Sequence, residues 1–413
     1  MKTKRSFPIV TVTPKAETAI KKGHPWVYDA EITDSFGDTA NGCLVDVLSR
    51  KGSYLGTGLL SLESKIRVRI LSSNANESFT PAFWERRLRY AIDYRRTVMG
   101  GDFSCCRLVF GEADGLPGLT VDRFSDLLSV QIASYGMDKL KDTLYPLLIK
   151  ILAEGGDTIN GIYERNDIAL RSREGLEEYK GWYEKLPHPD SPVTEITENG
   201  IKYLVDVENG QKTGFFLDQK YNRLAMQRIC KGKRVLDCFT HMGTFALNAG
   251  IAGALDVTGL DISEYAVSQA TENARRNGLE DTVHFRCANV LDELPRLAAV
   301  GEKYDVVILD PPAFTKSREA TKNAIKGYRE INMKGLKLVK DGGYLATCSC
   351  SHFMTQELLA KTVKEAAKAT HKRLRQVEFR TQAPDHPILW ANSANVPESY
   401  YLKFFIFQVV DEK

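Results

Sequence analysis

The chain has 413 residues, 43% hydrophobic and 26% charged, enough apolar material for two or three cores of about 100–200 residues each, which excludes a chain dominated by disorder. Lys and Arg number 56 against 53 Asp and Glu, so net charge by itself declares no nucleic-acid partner and only local clustering can. No apolar run approaches the roughly 20 residues that span a bilayer, and the opening Met1-Lys-Thr-Lys-Arg-Ser-Phe-Pro lacks an adjoining apolar signal segment, so a cytoplasmic protein is expected. The eight cysteines form no pair of CxxC clusters and no disulfide framework; reduced thiols and no metal are expected.

In chain order, residues 43–71 read as short strands: Cys43-Leu-Val-Asp-Val-Leu, Tyr54-Leu-Gly-Thr-Gly-Leu-Leu and the alternating Lys65-Ile-Arg-Val-Arg-Ile-Leu. They predict a small β-rich domain over residues 1–75, closed by the polar Ser72-Ser-Asn-Ala-Asn-Glu-Ser. Residues 81–99 have helical apolar spacing and carry Arg86, Arg87, Arg89, Arg95 and Arg96; a solvated basic face and a nucleic-acid contact both stay open there. A strand from Leu127, an amphipathic helix over 137–152 and a strand from Gly161 make a central α/β domain, 76–190, ending near Pro187, Pro189 and Pro192.

The last domain, 191–413, alternates buried-looking strands with helical segments: Arg234-Val-Leu-Asp, Val257-Thr-Gly-Leu-Asp, Val283-His-Phe-Arg-Cys, Asp305-Val-Val-Ile-Leu-Asp and Gly343-Tyr-Leu-Ala-Thr-Cys. This is the pattern of a doubly wound, Rossmann-like parallel sheet, in which ligands bind beyond the carboxyl ends of the strands. The distinctive residues fall there.

After the first strand, Asp237-Cys-Phe-Thr-His-Met-Gly243-Thr turns the chain into a helix near Gly243, whose backbone N–H groups can meet a ligand. A single glycine in place of GxGxxG argues against a dinucleotide and permits a smaller adenosine-containing ligand. The second strand ends at Asp261, 24 residues after Asp237, near the roughly 20-residue offset at which an acidic side chain receives ribose hydroxyls. Either aspartate alone serves as well as a helix cap; the pair favours a nucleoside. The fourth strand leads into Asp310-Pro311-Pro312-Ala-Phe314, where the prolines fix φ and hold Asp310 extended as a rigid polar lip. The fifth ends in Ala346-Thr-Cys348-Ser-Cys350-Ser, which puts at least one thiol at the same carboxyl edge. Between 316 and 340, Lys316, Arg318, Lys322, Lys326, Arg329, Lys334, Lys337 and Lys340 stand against Glu319 and Glu330, an asymmetry suited to a phosphate backbone.

On these and longer stretches the chain resembles the class I ribosomal RNA cytosine-C5 methyltransferases of the large-subunit type, which carry an N-terminal PUA domain. The resemblance runs through Gly23-His-Pro-Trp-Val-Tyr, Gly111-Glu-Ala-Asp-Gly-Leu-Pro-Gly-Leu-Thr-Val-Asp-Arg, Lys212-Thr-Gly-Phe-Phe-Leu-Asp-Gln, Asp310-Pro-Pro-Ala-Phe, Thr347-Cys-Ser-Cys-Ser, Asp385-His-Pro and Tyr401-Leu-Lys. It implies a PUA β-barrel, a central α/β domain and a methyltransferase domain with an antiparallel last strand over 400–409. It implies S-adenosylmethionine as cofactor, held by Gln219 and Arg223 at its methionine end and by Asp237, Phe239, Thr240, Gly243, Thr244, Asp261, Asn289 and Asp310. Asn289 replaces an acidic residue usual near the adenine.

The same resemblance makes Cys350 the nucleophile, with Cys348 in reserve, and Asp310 the group on the polar edge of the base; Pro311, Pro312, Phe314 and Lys316 would border the substrate. Large-subunit ribosomal RNA is the partner it implies, without a membrane and with a homodimer allowed. Two departures stand out: alanine follows the prolines where a basic residue is usual, and no cysteine follows Pro311 to assist product release. Two other readings remain: a ribosomal RNA guanine methyltransferase needing no thiol, and a non-catalytic RNA-binding assembly factor.

Overall fold

Strands whose alternate residues turn inward build the first of the sheets in the computed structural model, which describes residues 6–314, 319–390 and 397–412. The chain forms two units, one of residues 1–196, 205–217 and 384–399, the other of 197–204, 218–383 and 400–413.

The first unit opens with β1 (Ile9–Val12), α1 (Pro14–Lys21), β2 (Trp26–Tyr28), β3 (Ile32–Phe36), β4 (Leu44–Ser49), β5 (Tyr54–Leu60) and β6 (Ile66–Ser72). These strands pair in the order β2-β6-β5-β4-β1-β3, with β1 and β4 parallel. Val10, Val12, Val27, Val45, Val47 and Val68 fill the interior, as alternation requires of a sheet with one buried face.

Next come α2 (Pro81–Met99), β7 (Cys105–Phe110), β8 (Leu119–Phe124), β9 (Leu127–Ile132), α3 (Tyr135–Lys139), α4 (Lys141–Glu154), β10 (Gly161–Asn166) and β11 (Tyr179–Trp182), the strands ordered β11-β10-β9-β8-β7. The single helix expected over 137–152 is two, α3 and α4. On α2 most arginines are spent internally: Arg86 pairs with Glu77, Arg89 with Glu85 and Glu154, Arg96 with Asp157, and Arg87 donates to the Leu71 carbonyl.

Arg95 of α2 is fully buried and forks onto both oxygens of Asp114 at 2.5 and 2.8 Å while donating to the Asp385 carbonyl at 2.9 Å. Asp385 in turn accepts from the Arg107 backbone N–H and meets the His386 ring at 2.8 Å. Thr213 donates to Asp122, which also holds Arg107. Three of the stretches that carry the resemblance are therefore a buried polar clasp, in which each charge has a partner as burial demands.

A hairpin, β12 (Val193–Glu198) and β13 (Ile201–Asp206), joins the units along the chain. The second unit then runs α5 (Lys220–Cys230), β14 (Arg234–Cys238), α6 (Thr244–Ile251), β15 (Asp256–Asp261), α7 (Glu264–Arg276), β16 (Val283–Cys287), α8 (Val290–Ala299), β17 (Tyr304–Leu309), α9 (Thr321–Leu338), β18 (Val339–Ser349), α10 (Gln356–Ala369), β19 (Lys372–Arg380) and β20 (Lys403–Asp411). The sheet order is β16-β15-β14-β17-β18-β20-β19. The first five are parallel, and β20 inserts antiparallel between β18 and β19.

The strand order reverses at β14 and β17, so the carboxyl ends of those neighbours open a crevice at the switch point. Leu236, Val307, Leu309 and Leu345 from the sheet pack against Tyr328, Ile331 and Leu336 of α9 and Leu359 and Val363 of α10, which makes the crevice floor rigid. The five parallel strands lie where the sequence places them. The last strand starts at Lys403, three residues after its expected start, and β19 was not anticipated. Among the described residues no helix is long and apolar enough to cross a membrane, and no cluster of three or more His, Cys, Asp or Glu could hold a metal.

Candidate active site

The turn after β14 is wound through three left-handed residues, Phe239 (φ 65°), His241 (φ 50°) and Gly243 (φ 80°). The two non-glycine positions cost about 1–2 kcal/mol each, strain that persists only where the surroundings enforce it. Gly243 caps α6, and a Cβ there would lie 2.5 Å from the Phe285 ring. Gly259 on β15 faces the same ring at 2.5 Å. These two glycines let Phe285 close against the turn.

Asp237 Oδ2 accepts from Thr240 Oγ1 at 2.5 Å and from the Ala246 N–H at 3.0 Å, holding turn and helix together. Its Oδ1 is buried and has no hydrogen-bond partner among the described residues. Burial, with Asp310 and Asp261 adding repulsion, pushes this carboxyl up to about 7 against the Thr240 and Ala246 hydrogen bonds. Asp261, at the end of β15, accepts the His241 N–H on Oδ2 and the Ser263 N–H on Oδ1. Those two bonds leave acceptor capacity on both oxygens for hydroxyls. Burial pushes the His241 ring down to about 4, so it is neutral near pH 7.

Thr244 begins α6 and is buried. Gln219, at the start of α5, donates to Asp310 Oδ1 at 3.3 Å and accepts from Asn222 at 2.6 Å. Arg223 lies one turn on with its guanidinium forked onto Glu198 at 2.7 and 2.8 Å, both residues buried. Asn289 caps α8: its Oδ1 accepts the Leu291 N–H and its Nδ2 donates to Asp292.

Asp310 follows β17 and takes a second donor, the Cys348 thiol, at 2.8 Å. Burial pushes the Asp310 carboxyl up to about 6, with Cys348 and Gln219 opposing. The Cys348 thiol is itself pushed well up by burial and by Asp310, which makes it a proton donor and not a thiolate. Cys350, two residues further and just past β18, is partly exposed.

Pro311 is buried and Pro312 exposed. Phe314 lies 4.7 Å from the Tyr328 ring, centroid to centroid, and against Gly327, so the lip is anchored on α9. Lys316 lies outside the described residues.

Two residues to which the sequence reading gave no role belong here. Asp218, beside Gln219, accepts from Tyr401 Oη at 2.7 Å on one oxygen; the other is buried without a hydrogen-bond partner among the described residues. Lys403 pairs with Ser349 across the sheet and is buried, donating to the Ser351 carbonyl at 2.8 Å and the Tyr401 carbonyl at 3.0 Å. Burial pushes its ammonium down to about 8, opposed by Cys350 and Glu357. Both residues stood inside quoted stretches; the available signal was a charged side chain beside a strongly apolar run.

One crevice thus collects a buried acceptor on Asp237, a ribose-competent carboxylate on Asp261, and a carboxyl–thiol pair on Asp310 and Cys348. Asp218 couples electrostatically to Asp310 and extends the same set.

A family profile for PUA-like domains matches residues 10–73, and one for S-adenosylmethionine-dependent methyltransferases matches residues 181–392. The chain is 36% identical to Ribosomal RNA large subunit methyltransferase I of Klebsiella pneumoniae over 98% of this chain and 99% of that protein. The Shewanella denitrificans protein of the same name is 38% identical over 97% of this chain and 99% of its own length. Among solved structures, a Streptococcus mutans protein described as an S-adenosylmethionine-dependent methyltransferase superposes with TM-score 0.78 at 20% identity, covering 97% of this chain and 99% of that one. SMU.776 in complex with S-adenosylhomocysteine superposes with TM-score 0.80 at the same identity and coverage. With a PUA-like sheet, a central α/β domain and a Rossmann-like catalytic sheet in one chain, the protein belongs to the S-adenosylmethionine-dependent methyltransferases, in the family of ribosomal RNA large subunit methyltransferase I.

Proposed function

We propose that the protein methylates C5 of a cytosine in large-subunit ribosomal RNA through a covalent bond between Cys350 and C6. The observation that carries this reading is the division of labour between the two thiols: Cys348 is buried and spent on Asp310, whereas Cys350 is partly exposed at the same edge.

The residues fit the cofactor. Buried, unpartnered oxygens on Asp237 and Asp218 suit the ammonium of a methionine end, and Asp261 suits a ribose. Gln219, Phe239, Thr240, Gly243 and Thr244 would surround that end. Arg223 would act by fixing α5 through Glu198, and Asn289 by capping α8 beside the adenine. When bound, S-adenosylmethionine supplies a methyl group activated by its sulfonium.

Cytosine C5 is a poor nucleophile, so the thiolate of Cys350 adds to C6 and moves electron density to C5. Asp310, with a carboxyl near 6, holds a proton at the polar edge of the ring as that charge develops. Once C5 has taken the methyl group that the cofactor would supply, with its bond to sulfur broken, loss of the C5 proton restores the ring and expels Cys350 as the thiolate. Pro311, Pro312, Phe314 and Lys316 would border the flipped base. None of the eight cysteines is in a disulfide, which suits a reducing cytoplasm. The domains of this reading are a PUA-like domain over 1–75, a central α/β domain over 76–190 and the methyltransferase over 191–413.

RNA carrying 5-fluorocytidine tests the reading, because the fluorine at C5 cannot leave as a proton. A complex stable to denaturation, formed with cofactor and lost in Cys350→Ala, is expected. Absence of such a complex from the wild type, with methyl transfer to a guanosine instead, would replace this reading by the purine one.

A further inference from the structure

We infer that the solvent face of α9 is the track on which the methyltransferase domain receives the phosphate backbone of its RNA. The inference rests on the RNA-methylating reading above and adds the surface that holds the strand.

Helix α9 is amphipathic, burying Ala324, Tyr328, Ile331, Gly335 and Leu338 on one side. At about 100° per residue, Lys322, Lys326, Arg329 and Lys337 fall within an arc of about 80° on the opposite side. All four are exposed. Over the intervening turns this row spans about 22 Å of helix.

A solvated helix normally interleaves acids with such bases, and α2 does so, pairing Arg86, Arg89 and Arg96 with glutamates and aspartates. On α9 the only described acid is Glu330, and it is taken by Lys334 at 2.7 Å. The four other cations have no ion-pair partner among the described residues. An unneutralised row of like charge repels itself and costs the helix stability, a cost relieved when the row meets phosphates and displaces the cations condensed on them.

Placement supplies the second argument. Phe314 of the Asp310 lip packs on Gly327 and Tyr328, and Tyr328 Oη accepts from Ser349, one residue before Cys350. The cationic face is therefore mechanically tied to both the lip and the end of the thiol strand. A strand lying along it would lead directly to the reacting edge.

The test is the salt dependence of binding to deproteinised large-subunit ribosomal RNA, measured by filter retention over rising KCl. Each cation that meets a phosphate adds roughly 0.7–0.9 to the slope of log K against log salt. The variant K322Q/K326Q/R329Q/K337Q is expected to lower that slope by about 3 and weaken low-salt binding roughly tenfold or more, with S-adenosylmethionine affinity unchanged. The variant R86Q/R89Q/R96Q on α2 is expected to keep the wild-type slope. An unchanged slope in the α9 variant, with unimpaired cofactor binding, overturns the assignment while leaving the RNA reading intact. A wild type with no salt-dependent RNA binding overturns both.

Discussion

The Cys348 thiol donates to Asp310 Oδ1 across 2.8 Å, so the first cysteine of the pair serves the carboxyl at the lip. Because that hydrogen bond holds the Asp310 carboxyl down and the reaction uses Asp310 with its proton, Cys348→Ala is expected to move the alkaline limb of the kcat/KM profile, where that proton is lost, above about pH 6. Cys348→Ser should move that limb less, and the covalent complex should still form in both variants. Loss of the complex in Cys348→Ala would make Cys348 the nucleophile.

Asp237 carries a pH signature. Its carboxyl lies near 7 in the free protein, above the ordinary 3.8, so between those values the folded chain binds more protons than the unfolded one. The stability this contributes is therefore present at low pH and lost as pH rises through about 7. A cationic cofactor end reverses the preference and favours the carboxylate. Calorimetry below pH 7 in buffers of different ionisation heat should show proton release on S-adenosylmethionine binding, and affinity should rise with pH. Asp237→Asn should bind more weakly and without that dependence; equal heats in all buffers would contradict the assignment.

Lys403 buttresses the turn after Cys350 and places a positive charge within reach of its thiol. Its ammonium titrates near 8, below the ordinary lysine value, so the charge is present below that pH and fades above it. Iodoacetamide labelling of the Cys350 peptide, followed by mass spectrometry against pH, should show a midpoint about one unit higher in Lys403→Met and nearly unchanged in Lys403→Arg. An unmoved midpoint in Lys403→Met would leave Lys403 a structural brace alone.

Arg223 and Glu198 form a buried fork, so Arg223→Met removes the guanidinium that faces both oxygens of a buried carboxylate. A loss of about 3–5 kcal/mol in denaturant unfolding is expected, and Arg223→Met/Glu198→Leu should regain most of it. If the single variant were as stable as the wild type, the pair would not anchor α5.

The parallel sheet was legible because strands buried on both faces read as unbroken apolar runs, and Asp237, Asp261 and Asp310 sit at their carboxyl ends. The edge strand β19, Lys-Arg-Leu-Arg-Gln-Val-Glu-Phe-Arg, was not, since its residues are mostly half-exposed and charged and its bulge near Gln376 breaks the alternation. The hydrogen bond from Cys348 to Asp310 was equally hidden: residues two apart on a strand share a face, so alternation does not say which cysteine the lip takes. The arginines of α2 and the lysines of α9 look alike as text. Only folding shows that the former have acids beside them, several distant in sequence, and the latter do not.

The most direct measurement is transfer of labelled methyl from S-adenosylmethionine to deproteinised ribosomal RNA, comparing wild type with Cys350→Ala and resolving the nucleosides. Label in 5-methylcytidine that disappears with the Cys350 thiol is the predicted result. Label in a guanosine derivative, or undiminished 5-methylcytidine in Cys350→Ala, would contradict it.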